Sequence, residues 1–449
     1  MRKAAAFSSV LLAFILLLPF AACAHEKGVW EYAVPEYADD ATMMIGAWDP
    51  YFGLGDSFAK QEYFDDIAAA GFTLLVPLSN KMNFRTDPDN AEKIMNNADA
   101  AGLKVMVMDT YLSDNGSWDD RRVPLYENHP AFYGSHIKDE PSSGDFNYLK
   151  DKREKYYQLF PSDKVFFVNL FPSHVTGLGY PTYRQYVNGF MNTVKPKQLS
   201  YDLYPLLEGG ALRENYFSCL ETVRNIAKDF DVPLHNFLLS VPHSIPTALY
   251  RSPSEAELRW QIAVNCAYGV SSFTYYTYQS PMHGTGAEVY GDALISKTGV
   301  KTPLYGYAQT VNNEMLAWDH VYLKYVWQAV AAVKGSHGIA NPLFASLPYA
   351  LDPEKEKIEG VSGITSDQDL LMGVFADADG NKGFMVTNAT DPYVKKSATV
   401  TVKFQDGYKG AQMYEKGVPR IVDFDDGTVN FNLESGEGKF LIPLAKVKK

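Results

Sequence analysis

The chain has 449 residues, of which 46% are hydrophobic, 14% aromatic and 21% charged. This composition is typical of globular proteins, and it excludes collagen, coiled coil and general disorder. The net charge of −12 would repel a phosphate backbone, so we expect no nucleic-acid partner. The length corresponds to two or three domains, and a closed α/β barrel of about 250 residues counts as one of them.

The N-terminal segment has the features of a secretion signal. Two basic residues precede an almost unbroken apolar run over residues 4–20, and small residues then lead to Cys23. Small residues that end at a cysteine resemble a bacterial lipoprotein cleavage site, although Phe20 stands where a leucine is usual. We expect residues 1–22 to be a signal peptide, Cys23 to carry a lipid and residues 23–41 to be a tether. The alternative is ordinary signal cleavage with an incidental cysteine.

The rest of the chain has no second apolar stretch of membrane-spanning length. We therefore expect an exported protein in the bacterial envelope, in the periplasm or at the cell surface, that contacts the membrane through its lipid anchor only. Cys219 and Cys266 lie in helical patterns beside apolar residues. We expect both to be buried free thiols, and a disulfide between two helices is the alternative.

From residue 43 onward, apolar runs alternate with helical patterns. The eight apolar runs are 43–48, 72–78, 103–108, 132–137, 165–170, 199–206, 237–241 and 270–278. The helical patterns are 58–70, 91–101, 146–160, 183–194, 215–230, 254–268 and a long one over 303–333. Runs without strict alternation are typical of strands buried on both faces of a parallel sheet. This order predicts a (β/α)8 TIM barrel over residues 42–333.

A doubly wound open sheet is the alternative fold, but it requires a glycine-rich turn after the first run, and residues 49–53 do not provide a phosphate cradle. After the barrel, residues 335–360 have the composition of a linking stretch. Short alternating segments follow, separated by glycine-containing turns, at 369–375, 383–388, 398–404, 412–414, 429–433 and 438–441. They predict a C-terminal all-β sandwich domain over residues 334–449.

The reactive side chains of a TIM barrel stand at the C-terminal ends of its strands. On this ground we select Trp48, Asp49, Asp109, Asp139, Glu140, Asn169, Asp202, Tyr204, His243, Tyr276 and Tyr278 as candidate site residues. Carboxylates among aromatic rings are typical of carbohydrate sites, because rings stack on sugar faces and two acids can hydrolyse an acetal. His136, His174, His243 and His283 lack metal-ligand spacing, so we expect neither a metal nor an organic cofactor.

Residues 129–141 carry the sharpest local signal, a His-Pro-Ala lead-in followed by a strand that ends in Asp-Glu-Pro. This segment resembles the fourth strand of clan-A (β/α)8-barrel glycoside hydrolases, and more closely that of uncharacterised lipoprotein glycosidases of glycan-degrading Gram-negative bacteria. Residues 200–205 and 259–278 are similar to other segments of the same relatives. The resemblance implies that Glu140 is the general acid/base. Asp139 replaces the usual asparagine, and on an extended strand it should point to the opposite side.

The clan places its nucleophile, a glutamate, at the end of the seventh strand, but residues 236–244 contain no carboxylate. The candidates for a second acid are Asp202, Asp109, Asp49 and Glu288, and we favour Asp202 because the sixth strand ends at a moderate distance from the fourth. We expect hydrolysis of a glycosidic bond in an oligo- or polysaccharide. The alternatives are a non-catalytic glycan-binding lipoprotein on a degenerate barrel and, more weakly, a scaffold for a partner enzyme.

Overall fold

The computed structural model describes residues 30–53, 59–78, 80–109, 125–282, 287–336 and 347–448. Eight parallel strands close into a barrel in chain order. They are Met44–Trp48, Leu74–Val76, Lys104–Val107, Phe132–Asp139, Val165–Leu170, Leu199–Tyr201, Leu234–Leu239 and Val270–Tyr276. The eighth strand pairs with the first, with Ser272 opposite Met44, which excludes an open sheet. The predicted TIM barrel is confirmed.

Helices cover the outside of the barrel between its strands. They are Gln61–Ala69, Pro88–Ala100, Phe146–Leu159, Tyr183–Val194, Tyr216–Asp229, Glu255–Ala267, Pro303–Leu316 and the short Asp319–Tyr322. Local sequence sets several of their starts. Asp87 and Thr182 accept hydrogen bonds from first-turn amides, and Ser254 forms a reciprocal capping box with Glu257. Cys219 and Cys266 are buried free thiols, as predicted. Among the described residues, no helix is long and apolar enough to cross a membrane.

The long helix predicted over residues 303–333 is wrong in its second half. The helix ends at Leu316, and Val326–Val333 is a strand of the C-terminal sheet. Trp327 is buried there and its indole N–H donates to the carbonyl of Ala267 at 3.0 Å. β-Branched and aromatic residues favour a strand where a neighbouring sheet edge can pair with them, and here that edge is the strand Leu370–Ala376.

The C-terminal region consists of antiparallel sheets, as predicted. One sheet has the strand order Val326–Val333, Leu370–Ala376, Lys382–Asn388, Gly438–Leu444, Gly410–Glu415 and Val418–Asp423. The second sheet has the order Val361–Ser366, Ala398–Phe404 and Thr428–Leu433. Apolar side chains from both sheets form a core of their own, which is the arrangement of a β-sandwich.

The β-domain packs on the sixth barrel helix, Glu255–Ala267, and the N-terminal segment pairs with the domain's last strand. The Thr387 hydroxyl donates to the Ala263 carbonyl at 3.1 Å. Trp30–Tyr32 pairs antiparallel with Lys446–Lys448. The described part of the predicted tether is therefore part of the fold, because its backbone completes a two-stranded sheet. Cys23 and the signal segment lie outside the described residues.

Candidate active site

A cavity of about 290 Å³ opens at the C-terminal ends of the barrel strands. It is lined by eight of the residues selected from the sequence, which are Trp48, Asp139, Glu140, Asn169, Asp202, Tyr204, His243 and Tyr276. Glu288, named above among the possible second acids, also lines it. The cavity thus collects carboxylates from the fourth and sixth strands and from the loop after the eighth. No group of three potential metal ligands occurs in the described part of the chain.

The backbone at Glu140 turns two neighbouring carboxylates toward the same cavity. The fourth strand ends at Asp139, and Glu140 has a φ of 47°, in the left-handed region that side chains other than glycine rarely adopt. Its N–H donates to the Asn169 carbonyl at 2.8 Å, and the Tyr186 hydroxyl donates to the Pro141 carbonyl at 2.6 Å. The expectation that Asp139 points away from the site is therefore wrong, because strand alternation ends at this turn.

Asn169 connects two of the carboxylates. It lies on the fifth strand, between the fourth and the sixth, and its amide nitrogen donates to Asp139 at 3.2 Å and to Asp202 at 3.1 Å. The Ser200 hydroxyl donates to the Asn169 side-chain oxygen at 2.9 Å and so fixes the orientation of the amide. One buried amide thus holds Asp139 and Asp202 side by side on one wall of the cavity.

The crowding of acids disfavours their charged forms. Burial, followed by the charges of Asp202, Asp139 and Glu288, raises the pKa of Glu140 to about 9. Burial and the charge of Asp139 raise the pKa of Asp202 to about 7, against the opposing hydrogen bonds from Asn169 and Tyr204. Both carboxyls are partly exposed to the water of the cavity while protein surrounds their other sides. At neutral pH the group that holds a proton most firmly is Glu140.

Aromatic rings form another part of the cavity lining. Tyr204 and Tyr276 stack with their ring centroids 5.3 Å apart. His243 lies between two further rings, 4.4 Å from Tyr250 and 5.2 Å from Tyr290. The pKa of His243 is lowered, mainly by burial, so the imidazole is neutral at neutral pH. This wall offers apolar faces and hydroxyl edges, which is the chemistry that a sugar ring requires.

A small sheet above the barrel positions these rings. Its strands follow the sixth, seventh and eighth barrel strands and lie in the order Val289–Tyr290, His243–Ile245, Ala248–Tyr250, Leu206–Leu207 and Ala211–Leu212. The Arg213 guanidinium donates to the Tyr250 hydroxyl at 2.6 Å and holds that ring in place. Hydrogen bonding between three loops gives the wall a defined geometry.

Three of the residues selected from the sequence lie outside the cavity lining. Asp49 pairs with Lys81 at 2.8 Å, and Asp109 is buried and accepts a hydrogen bond from the Tyr126 hydroxyl at 2.8 Å. Tyr278 is buried and packs edge-on against Phe72, because the eighth strand ends two residues earlier. The structure therefore does not bring these three side chains to the site, and it gives each a structural partner instead.

Sequence analysis did not select several of the lining residues, which are Phe171, His174, Phe237, Tyr250 and Tyr290. Phe237 lies on the seventh strand, and the alternation of that strand could have identified it. Tyr250 and Tyr290 lie on strands of two or three residues, which are too short to show a periodic pattern. His174 follows the fifth strand in a loop without a motif.

The sequence matches no family model and no curated protein. The chain is similar in structure, at low identity, to TIM-barrel glycoside hydrolases. An α-amylase from Anoxybacillus has 12% identity and a TM-score of 0.49 over 90% of this chain and 98% of that one. An endo-β-1,4-mannanase from Thermotoga petrophila has 11% identity and a TM-score of 0.41 over 88% of this chain and 98% of that one.

A β-galactosidase from Halorubrum lacusprofundi has 12% identity and a TM-score of 0.43 over 61% of this chain. The match spans 58% of the galactosidase's own length. Identities and scores this low support no statement about activity, which therefore depends on the residues of the site.

Proposed function

We propose that the protein is a glycoside hydrolase that cleaves a glycosidic bond in an oligo- or polysaccharide, with Glu140 as the general acid/base. One observation carries this proposal. Glu140 stands at the C-terminal end of the fourth barrel strand, in a cavity that also contains Asp139, Asp202 and Glu288. Most glycoside hydrolases use one protonated and one ionised carboxyl group, one on each side of the scissile bond.

The surroundings of Glu140 suit the acid role. A carboxyl group whose pKa is raised by burial and by neighbouring acids keeps its proton at neutral pH and can deliver it to the leaving oxygen. After the bond breaks, the resulting carboxylate can accept a proton from the incoming water. The sequence favours Asp202 as the second catalytic acid, and its contact with Asn169 and its place beside Asp139 also support a role in maintaining the protonation of Glu140.

The remaining lining residues support a carbohydrate substrate. Tyr204 and Tyr276 present ring faces, while the Asp139 carboxylate presents acceptors that match sugar hydroxyls. We propose that these residues, with Trp48 and His243 on the same lining, bind the sugar next to the scissile bond. No cofactor enters the proposed reaction.

A binding protein without catalysis is the second candidate. It is favoured by the residues that follow the seventh strand, where positions 240–245 provide serine, valine, proline, histidine and isoleucine side chains but no acid. In this case the cavity would retain sugar affinity while the barrel had lost its second catalytic group.

Release of reducing ends distinguishes the two functions. The wild-type protein and Glu140→Gln would be incubated with a panel of neutral and acidic polysaccharides, and binding would be measured in parallel by calorimetry. We expect release by the wild type, a loss of at least roughly 10²-fold in Glu140→Gln, and retained binding by that variant. Binding by the wild type without any release would support the binding protein instead.

We also propose that the protein is exported and anchored to the envelope through a lipid on Cys23. The basic start, the apolar run and the small residues before Cys23 support this proposal. Metabolic labelling with a radioactive fatty acid tests it. We expect label on the wild type and none on Cys23→Ser, whereas ordinary signal cleavage would leave both proteins unlabelled.

A further inference from the structure

The small sheet brings a carboxylate to the end of the seventh strand. The residues of that strand and those that follow it directly, 236–244, include no acid. His243–Ile245 pairs antiparallel with Val289–Tyr290, with His243 opposite Tyr290 and Ser244 opposite Val289. The next step of this register places Glu288 beside Ile245, and both residues line the cavity. A residue from the loop after the eighth strand thus occupies the space above the seventh.

The register of the small sheet separates Glu288 from Glu140 around the barrel. The seventh strand, above which Glu288 lies, is three positions from the fourth in the closed ring of eight. Asp202, after the sixth strand, is two positions away and is tied through Asn169 to Asp139. Among the acids that line the cavity, Glu288 is therefore the one whose supporting strand is furthest around the barrel from the fourth.

Two tyrosine hydroxyls orient this carboxylate. The Tyr290 hydroxyl donates to a carboxylate oxygen of Glu288 at 3.2 Å, and the hydroxyls of Tyr290 and Tyr276 are 2.7 Å apart. Since Tyr290 uses its proton on Glu288, Tyr276 donates to Tyr290. Tyr276 ends the eighth barrel strand, so a chain of two hydrogen bonds connects Glu288 to the rigid barrel. Hydrogen bonds that a carboxylate accepts favour its ionised form.

We propose that Glu288 is the second catalytic carboxylate, which acts on the anomeric carbon from the side opposite Glu140. This inference rests on the proposed function. In the reaction the glycosidic C–O bond breaks and the proton of Glu140 passes to the leaving oxygen. In one route the Glu288 carboxylate forms the new bond to the anomeric carbon; water then hydrolyses this glycosyl ester, and Glu140 takes up a proton of that water. In the other route a water forms the new bond, and Glu288 accepts its proton.

Asp202 then acts through Glu140 as a positioning residue. Its charge is one of the causes that raise the pKa of Glu140, and its oxygen is occupied by the amide of Asn169. In Asp202→Asn, the alkaline limb of the pH–rate profile should lie at lower pH than in the wild type. The reason is that Glu140 loses its proton more readily without the charge of Asp202. A purely structural role of Asp202 would lower the rate equally at every pH.

The test uses dinitrophenyl glycosides of common hexoses and pentoses, with and without sodium azide. We expect Glu288→Ala to lose at least roughly 10³-fold in kcat, and azide to restore turnover with formation of a glycosyl azide. Glu288→Gln should be equally inactive at an unchanged melting temperature. Glu208→Ala, which removes an exposed carboxylate from a turn of the same small sheet, should retain wild-type rates.

The configuration of the first product, followed by NMR, identifies the nucleophile. Retention assigns the attack to Glu288 itself, and inversion assigns it to a water that Glu288 activates. The inference is overturned if Glu288→Ala stays within tenfold of the wild type, if azide restores Asp202→Ala instead, or if azide restores neither variant. Absence of hydrolysis by the wild type on every glycoside would overturn the proposed function itself, which is a different result.

Discussion

Glu140 is held under conditions that oppose its ionisation and strain its backbone. Its φ of 47° lies in the left-handed region, and burial together with three nearby acids raises its pKa. Both features cost the folded protein free energy, and such costs are found mainly at functional positions. At the scale of the single residue, the features that support the proposed acid role of Glu140 therefore lower the stability of the fold.

The raised pKa of Glu140 predicts that its contribution to the stability of the fold depends on pH. The pKa of Glu140 rises from 4.5 in the unfolded chain to about 9 in the fold, so the folded state binds the proton more firmly. Stability from this group is complete below pH 4.5 and is lost as the pH rises toward 9. Because the side chain is partly exposed, we expect Glu140→Gln to gain only about 1 kcal/mol at pH 8 and less at pH 4.

Chemical denaturation of both proteins at the two pH values measures this difference. A gain of the same size at pH 4 and pH 8 would show that the charge of Glu140 is not its cause. If Glu140→Gln were less stable than the wild type at pH 8, this result would contradict the raised pKa of Glu140.

At the scale of the secondary-structure elements, the sixth barrel helix lies between the barrel and the β-domain. Arg251 lies just before it, is buried, and donates to Glu257 at 2.6 Å and to Asp391 of the β-domain at 2.9 Å. The same guanidinium also donates to the Leu207 carbonyl at 2.6 Å. A single side chain thus connects the helix, the small sheet and the β-domain.

Replacement of Arg251 should therefore be costly. We expect Arg251→Met to lose about 3–5 kcal/mol in the free energy of unfolding, because the buried Glu257 and the half-buried Asp391 would lose the positive charge that compensates them. Arg420→Met is the matched control, since Arg420 pairs with Glu415 at the surface. Its loss should stay within about 1 kcal/mol. Similar losses in the two variants, measured by urea denaturation, would contradict this account.

The barrel strands could be predicted from the sequence because they are buried on both faces and read as continuous apolar runs. The strand Val165–Leu170 was predicted with its observed bounds. The strand Val326–Val333 could not be recognised, because its alanines and valines also fit a helix and only the partner strand decides. The turn at Glu140 and the position of Glu288 in the cavity depend on tertiary contacts, so local sequence patterns could not predict them.

At the scale of the whole molecule, the apolar core of the barrel extends into the β-domain, which also has a core of its own. Phe375, Tyr414 and Phe440 of the β-domain belong to the same buried cluster as Tyr322 and the barrel residues. The contact is close enough to exclude side chains at some positions. A Cβ atom on Gly373 would lie 2.3 Å from the carbonyl oxygen of Ala267 on the sixth helix.

Because the backbones are this close, a single methyl group added at Gly373 should push the β-domain away from the sixth helix. We expect Gly373→Ala to lose about 1–3 kcal/mol of stability, because a backbone atom of the helix would have to move. Gly363→Ala is the matched control, since Gly363 also lies on a strand of the β-domain and a Cβ there would meet no atom within 4 Å. Equal melting temperatures of the two variants in calorimetry would show that the interface tolerates separation.

If Glu140 protonates the leaving group, as we propose, the effect of removing its proton depends on how much that group needs one. Wild type and Glu140→Gln would be compared on alkyl and dinitrophenyl glycosides of one sugar. We expect a loss of at least roughly 10²-fold on the alkyl glycoside, whose leaving group needs a proton, and a much smaller loss on the dinitrophenyl glycoside, whose leaving group does not. Equal losses on both substrates, or none on either, would contradict it.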